Sequence, residues 1–280
     1  MCANCCRPHP LWLAVFLWHG TGSPLTRTEL LDCHFDTGHR TSNYSEEEAL
    51  KAFQRYAGDE DKFGVDGVLK FCEDLNVTPE DVAVLVLAYK AECQQMGCFT
   101  KEEFLRCFRV MDVATPEQLA SKIADVRDEL DDPAVFRAVY RFAFKYALST
   151  IHPPARNLDL STAKEMWHVL LARRWPLTHD FFAFLDHKAA ASKRPVVITR
   201  DQWFGVHDFA VHVAPDLSSG YSEDDAWPVL LDEFVAWKRE RDAQQQQQPQ
   251  QQQSEEQRIG QGKHHYYQHR QVGNGGGHHQ

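Results

Sequence analysis

The sequence predicts an all-α fold, a compact helical domain of about ten helices built from degenerate EF-hand-like helix-loop-helix units. Three observations carry that expectation. Helix-start signatures recur along the middle of the chain. Apolar residues follow them at helical spacing. No stretch alternates long enough to make a convincing strand. A chain of 280 residues leaves room for a substantial core.

Taken in order, residues 1–44 read as an irregular N-terminal segment, because Gly20, Gly22, Pro24 and Gly38 interrupt any periodicity. The helical texture then holds over 45–241. Ser45 with Glu48 fits a capping box, as does Thr100 with Glu103. Thr78-Pro79 and Thr115-Pro116 place a capping hydroxyl before a first-turn proline. The run Val82–Tyr89 is apolar nearly all round, which predicts a central helix. Helices are expected near 133–148, 178–190 and 200–212, and Ser161 is expected to open one carrying Met166, Trp167, Val169 and Leu170. Near the end, Ser222 can cap a helix whose positive pole suits Glu223, Asp224 and Asp225. Pro228 is tolerated only near a first turn, so the regular helix is placed close to Trp227, with Leu230, Leu231, Phe234 and Trp237 facing the core. Residues 242–280, rich in Gln, His and Gly, cannot bury enough apolar surface to fold alone and are read as a disordered tail.

A faint repeat runs through this string. Gly64-Val65-Asp66-Gly67 precedes Val68 and Phe71, Gly97-Cys98-Phe99-Thr100 precedes Glu103-Phe104, Leu160-Ser161 precedes Met166-Trp167, and Ile198-Thr199 precedes Trp203. Each is a short extended link, a cap and a helix, the skeleton of paired helix-loop-helix units. Calcium binding would need oxygen ligands at loop positions 1, 3 and 5 and a bidentate acid at 12. A loop starting at Asp59 puts Phe63 and Lys70 at the last two of these. A loop starting at Glu92 ends on Glu103 but carries Gln94 and Met96 in between. Both keep the turn and lose the cage, so no metal and no cofactor is expected.

The formal net charge of −10 argues against nucleic acid as the main ligand. Between Thr199 and Trp237 stand eight acidic residues and one basic residue, Arg200. Such a face attracts a basic partner. All eight cysteines lie at or before position 107, a distribution unlike a secreted disulfide framework, which points to a reducing compartment. Cys2, Cys5 and Cys6 form one odd cluster beside the apolar run Leu11–Trp18, which is too short to span a bilayer.

No phosphate loop, nucleophile elbow or metalloprotease His pair is present. Cys72, Cys93, Cys98 and Cys107 sit in apolar settings and read as small core residues. The constellations that remain suit binding: the acidic face, and an apolar group comprising Val65, Val68, Val84, Leu85, Val86, Leu87, Ala88 and Phe99.

The segments Phe63–Leu75, Phe99–Phe104, Ile198–Trp203 and Ala226–Phe234, four motifs in order, resemble the defective-in-cullin-neddylation family. Its potentiating neddylation domain would cover about residues 45–241. The resemblance implies a non-catalytic, scaffold-type ligase component that holds a cullin's C-terminal winged-helix region and the neddylation conjugating enzyme and promotes cullin neddylation by proximity. It implies a cullin-binding patch of Asp201, Ala226 and Asp232. It also implies a pocket for the acetylated N-terminal methionine of the conjugating enzyme, lined by Val65, Val68, Val84, Leu87, Ala88, Phe99, Tyr146, Met166 and Val169. Nucleus and cytoplasm are the expected locations. The rival readings are a calcium-responsive EF-hand-like binding protein and a transcriptional adaptor acting through the Gln-rich tail.

Overall fold

A helix that is apolar on every side has no face to give to water, and the segment Val82–Ala91 is placed accordingly. It lies inside a computed structural model that describes residues 42–151 and 155–245. In chain order the first elements are α1 (Glu46–Ala57), β1 (Lys62–Phe63), α2 (Val65–Asp74), α3 (Val82–Ala91), β2 (Phe99–Thr100) and α4 (Lys101–Val110). Then come α5 (Pro116–Ser121), α6 (Ile123–Asp128), a 3₁₀ turn (Glu129–Asp131) and α7 (Pro133–Leu148). The described residues end with β3 (Leu158–Asp159), α8 (Leu160–Leu171), α9 (Thr178–Ala191), β4 (Val197–Ile198), α10 (Arg200–His212) and a helix α11 over 229–245. The described residues are therefore all-α in class, as expected.

The four strands have two residues each and serve as clips. β1 pairs antiparallel with β2 through Phe63 and Phe99, and β3 pairs with β4 through Leu158 and Ile198. Each clip joins the loops of two consecutive helix pairs. Around the first, α1, α2 and α4 interdigitate Phe53, Tyr56, Phe63, Phe71, Phe99, Phe104 and Phe108, with the Phe104 and Phe108 rings stacked at 4.3 Å. Around the second, the Trp167 and Trp203 rings stack at 5.1 Å. Tyr140 locks them: its hydroxyl accepts from Trp167 Nε1 at 2.7 Å and donates to the Trp203 carbonyl at 2.9 Å. The Trp203 indole N–H returns a bond to the Tyr140 carbonyl at 3.1 Å. α3 packs against α4, α6 and α7.

Several helix starts differ from their expected form. Thr100 makes the full capping box with Glu103, and Thr115 caps α5 ahead of Pro116. Ser45 accepts from the Glu48 N–H, but the Glu48 carboxylate turns to Lys51, so this box is half made. Thr78 does not cap α3. Asp81 does, accepting from the Ala83 N–H at 2.9 Å, and the helix begins three residues later than Pro79 would place it. Asp159, not Ser161, caps α8, and the Ser161 hydroxyl donates to that same carboxylate at 2.6 Å. Ser222 caps only a turn, accepting from the Asp224 N–H. Glu223, Asp224 and Asp225 precede α11 instead of filling its first turn.

The helix α11 also runs through 242–245, residues expected to belong to the tail. Lys238 explains this, lying 3.0 Å from Asp180 of α9 and 2.9 Å from Asp242. Arg241 adds a pair to Asp180 at 2.8 Å, so opposite charges fasten the last turns to α9. The expectations for Cys2, Cys5, Cys6, the run Leu11–Trp18 and the Gln/His-rich stretch beyond 245 lie outside the described residues.

Candidate protein-docking sites

Two surfaces stand out, one apolar and concave, the other acidic. The first is a cavity of about 210 Å³. Its size exceeds the roughly 150 Å³ apolar cavity that suffices to hold a benzene molecule. Val65, Val68 and Leu69, spaced one turn apart on α2, form one wall. Val84 and Leu85 of α3 and Met166 and Val169 of α8 form others, with Met96, Gly97, Phe99, Pro79 and Tyr146 closing the ends.

The shape is fixed from behind. Gly67 brings α2 so close to Phe63 that a Cβ would lie 2.6 Å from the phenylalanine Cβ. The Ser149 hydroxyl accepts from the Met96 N–H at 2.9 Å and donates to the Tyr146 carbonyl at 2.5 Å, tying that loop to α7. Gly97 holds φ at +74°, a left-handed turn that suits glycine. The rim is unusual for a soluble surface, since Val65 is 65% exposed and Leu69 43% exposed. Burial pushes the Tyr146 phenol well up, so it stays neutral.

Asp81 is the acidic side chain in this wall. Its carboxylate is already engaged by Arg127, through Nε at 3.0 Å and Nη2 at 2.5 Å. Those bonds, with the Ala83 N–H, hold it below the usual carboxylate range against the opposing effect of burial. The wall thus presents a neutralised pair and is otherwise apolar.

Of the residues expected here, Val65, Val68, Val84, Phe99, Tyr146, Met166 and Val169 meet in the cavity. Leu87 and Ala88 do not reach it: each is 1% exposed and belongs to the core. α3 is buried on most sides, and its apolar sequence does not say which side faces the opening. Leu69, Pro79 and Asp81 line the cavity without having been expected there, whereas Leu85 comes from the apolar group expected to suit binding, and Met96 and Gly97 line it as well. Leu69 had a readable signal, an apolar residue four after Val65 on the same helix face.

The second surface lies where α10 meets the start of α11. A Cβ on Gly205 would stand 2.5 Å from Pro228 Cγ and 3.5 Å from Leu231 Cδ1, so the two elements touch at backbone range. Asp201 is exposed one turn before Gly205 on the same helix side. It follows Thr199, which makes a capping box with Gln202. Ala226 is exposed two residues before Pro228, and half-buried Asp232 follows Leu231 directly. Tyr221 donates its hydroxyl to Asp232 at 2.9 Å. Asp201, Ala226 and Asp232 each lie within four residues in sequence of this α10–α11 contact, and Val229 next to Pro228 is exposed.

Among the described residues, no group of three or more His, Cys, Asp or Glu side chains could hold a metal ion. Both oxygens of Glu103, the acid that would close a calcium loop, accept backbone N–H bonds, from Gln94 and from Thr100, each at 2.8 Å. Cys72, Cys93, Cys98 and Cys107 are buried as free thiols. Burial pushes Cys72 up to about 11 and Cys107 up to about 12, which disfavours the thiolate a nucleophile needs.

An open apolar cavity and an exposed acidic junction on an all-α domain are the parts of a protein-docking module. A family model described as cullin binding matches residues 118–237, a span that contains Asp201, Ala226 and Asp232. DCN1-like protein 5 of Homo sapiens is 41% identical over 199 residues, covering 71% of this chain and 80% of the relative. DCN1-like protein 4 of Drosophila melanogaster is 36% identical over 203 residues, covering 72% and 78%. DCN1-like protein 4 of Homo sapiens is 41% identical over 198 residues, covering 71% and 65%. The chain belongs to this cullin-binding family of DCN1-like proteins, the defective-in-cullin-neddylation family that its motifs resemble.

Proposed function

We propose that this protein is a scaffold for cullin neddylation, binding a cullin through the α10–α11 junction and the neddylation conjugating enzyme through the apolar cavity. What supports the reading is the α10–α11 contact at Gly205 and Pro228, flanked in sequence by Asp201, Ala226 and Asp232, inside the segment matched by the cullin-binding family. Carboxylates there suit the basic side chains of a cullin's winged-helix region, and Ala226 permits close approach. The cavity suits an acetylated N-terminal methionine. Acetylation removes the amine charge, so the chain end enters an apolar site without the cost of burying an ammonium. Holding both partners in one geometry raises the rate of transfer between them through proximity, and the scaffold supplies no nucleophile. Nucleus and cytoplasm are the proposed places of action.

A pull-down of a cullin C-terminal fragment tests the first contact. Asp201→Ala, Ala226→Arg and Asp232→Ala should each reduce capture. Undiminished capture by all three would remove the junction from the account.

A further inference from the structure

We propose that Tyr221 is a positioning residue for Asp232, the acid that meets the cullin's basic side chain; the proposal rests on the scaffold reading above. Tyr221 stands in the loop between α10 and α11, and three contacts fix its ring. It meets Phe209 of α10 edge-on at 6.1 Å, and the Arg239 guanidinium of α11 lies 5.5 Å above it. Its hydroxyl donates to Asp232 Oδ1 at 2.9 Å.

The loop reaches this place through Gly220. At φ +80° a glycine passes the α10 end so closely that a Cβ would lie 2.0 Å from the His212 carbonyl oxygen. Phe209 is wholly buried, so the ring is referenced to the core and not to the loop alone.

The hollow these residues make holds about 410 Å³ and is lined by Tyr221, Glu223, Asp232, Val235, Ala236 and Arg239. It contains two acids with different partners. Glu223 is paired with Arg239 at 3.1 Å, whereas Asp232 has the neutral phenol as its partner. No lysine or arginine pairs with Asp232 among the described residues, which leaves it for an incoming cation. Its Oδ1 is held by the phenol, and Oδ2 has no hydrogen bond among the described residues. Fixing the rotamer before the partner arrives removes part of the ordering cost of binding. Desolvation, and then the bond to Asp232, push the phenol up to about 12, so it remains a donor throughout the physiological range.

A double-mutant cycle on the full chain, titrated with a cullin C-terminal fragment by calorimetry, tests this. Tyr221→Phe keeps the ring and removes the donor. It should weaken binding roughly fivefold, the scale of one hydrogen bond of positioning. On the Asp232→Ala background it should weaken binding no further, and with Asp201→Ala the two losses should multiply. Parent-like binding by Tyr221→Phe while Asp232→Ala binds poorly would overturn the positioning role alone. The same Tyr221→Phe loss with and without Asp232 would also overturn it. Parent-like binding by Asp232→Ala would bring down both this proposal and the junction reading.

Discussion

Pro228 Cγ lies 2.5 Å from the point where a Cβ on Gly205 would stand. This contact joins α10, which carries Asp201, to the start of α11, which carries Asp232. An alanine in mid-helix ordinarily stabilises by about 0.5–1 kcal/mol relative to glycine. Here the sign should reverse. Gly205→Ala must separate the elements and should cost about 1–3 kcal/mol, the range for overpacking. Chemical denaturation reads that loss, and capture of a cullin fragment should fall with it.

The hydroxyl of Tyr140 serves two buried partners, the Trp167 indole N–H and the Trp203 carbonyl. Tyr140→Phe leaves the buried Trp167 indole N–H without a partner, while the Trp203 carbonyl keeps its bond within α10. It should destabilise the fold by about 1–3 kcal/mol. A denaturant midpoint unmoved by this change would contradict the locking role.

The cavity wall has no unengaged acid to receive an ammonium, because Asp81 is bound by Arg127. A conjugating-enzyme peptide with an acetylated N-terminus should therefore bind at least about tenfold more tightly than the free amine. Calorimetry with the two peptides measures the ratio, and equal affinities would argue against a buried acetyl-methionine.

Asp81 also sets a pH dependence. Its carboxyl is held below the ordinary range, so its contribution to stability is present above about pH 4 and disappears as pH falls through the lower folded value. Asp81→Asn keeps a competent cap and removes the charge. The variant should be less stable than the parent at pH 7, and the gap should close at acid pH. A gap that persists unchanged below pH 3 would mean that the lost stability had another source.

What could be read beforehand and what could not divide along a physical line. Thr100 and Glu103 are three residues apart, and their capping box needs nothing from the rest of the chain. Asp81 caps α3 with Arg127 behind it, a partner far along the sequence, so the start expected at Thr78 moved. Val65, Val68 and Val169 carry helical spacing and reached the cavity. Leu87 and Ala88 did not, because α3 is apolar all round and its orientation is decided by the helices packed on it. Tyr221 was visible only as an aromatic residue before an acidic run. Its use depends on the left-handed turn at Gly220 and on the ring of Phe209.

The central claim is that one molecule must hold both partners. The direct measurement is the rate of cullin neddylation in a reconstituted reaction, using an Asp201→Ala/Asp232→Ala variant, a Val84→Arg variant, and an equal mixture of the two. The scaffold account predicts loss with each variant and no recovery in the mixture, because neither molecule can bring the partners together. Recovery in the mixture, or full activity with either variant alone, would contradict it.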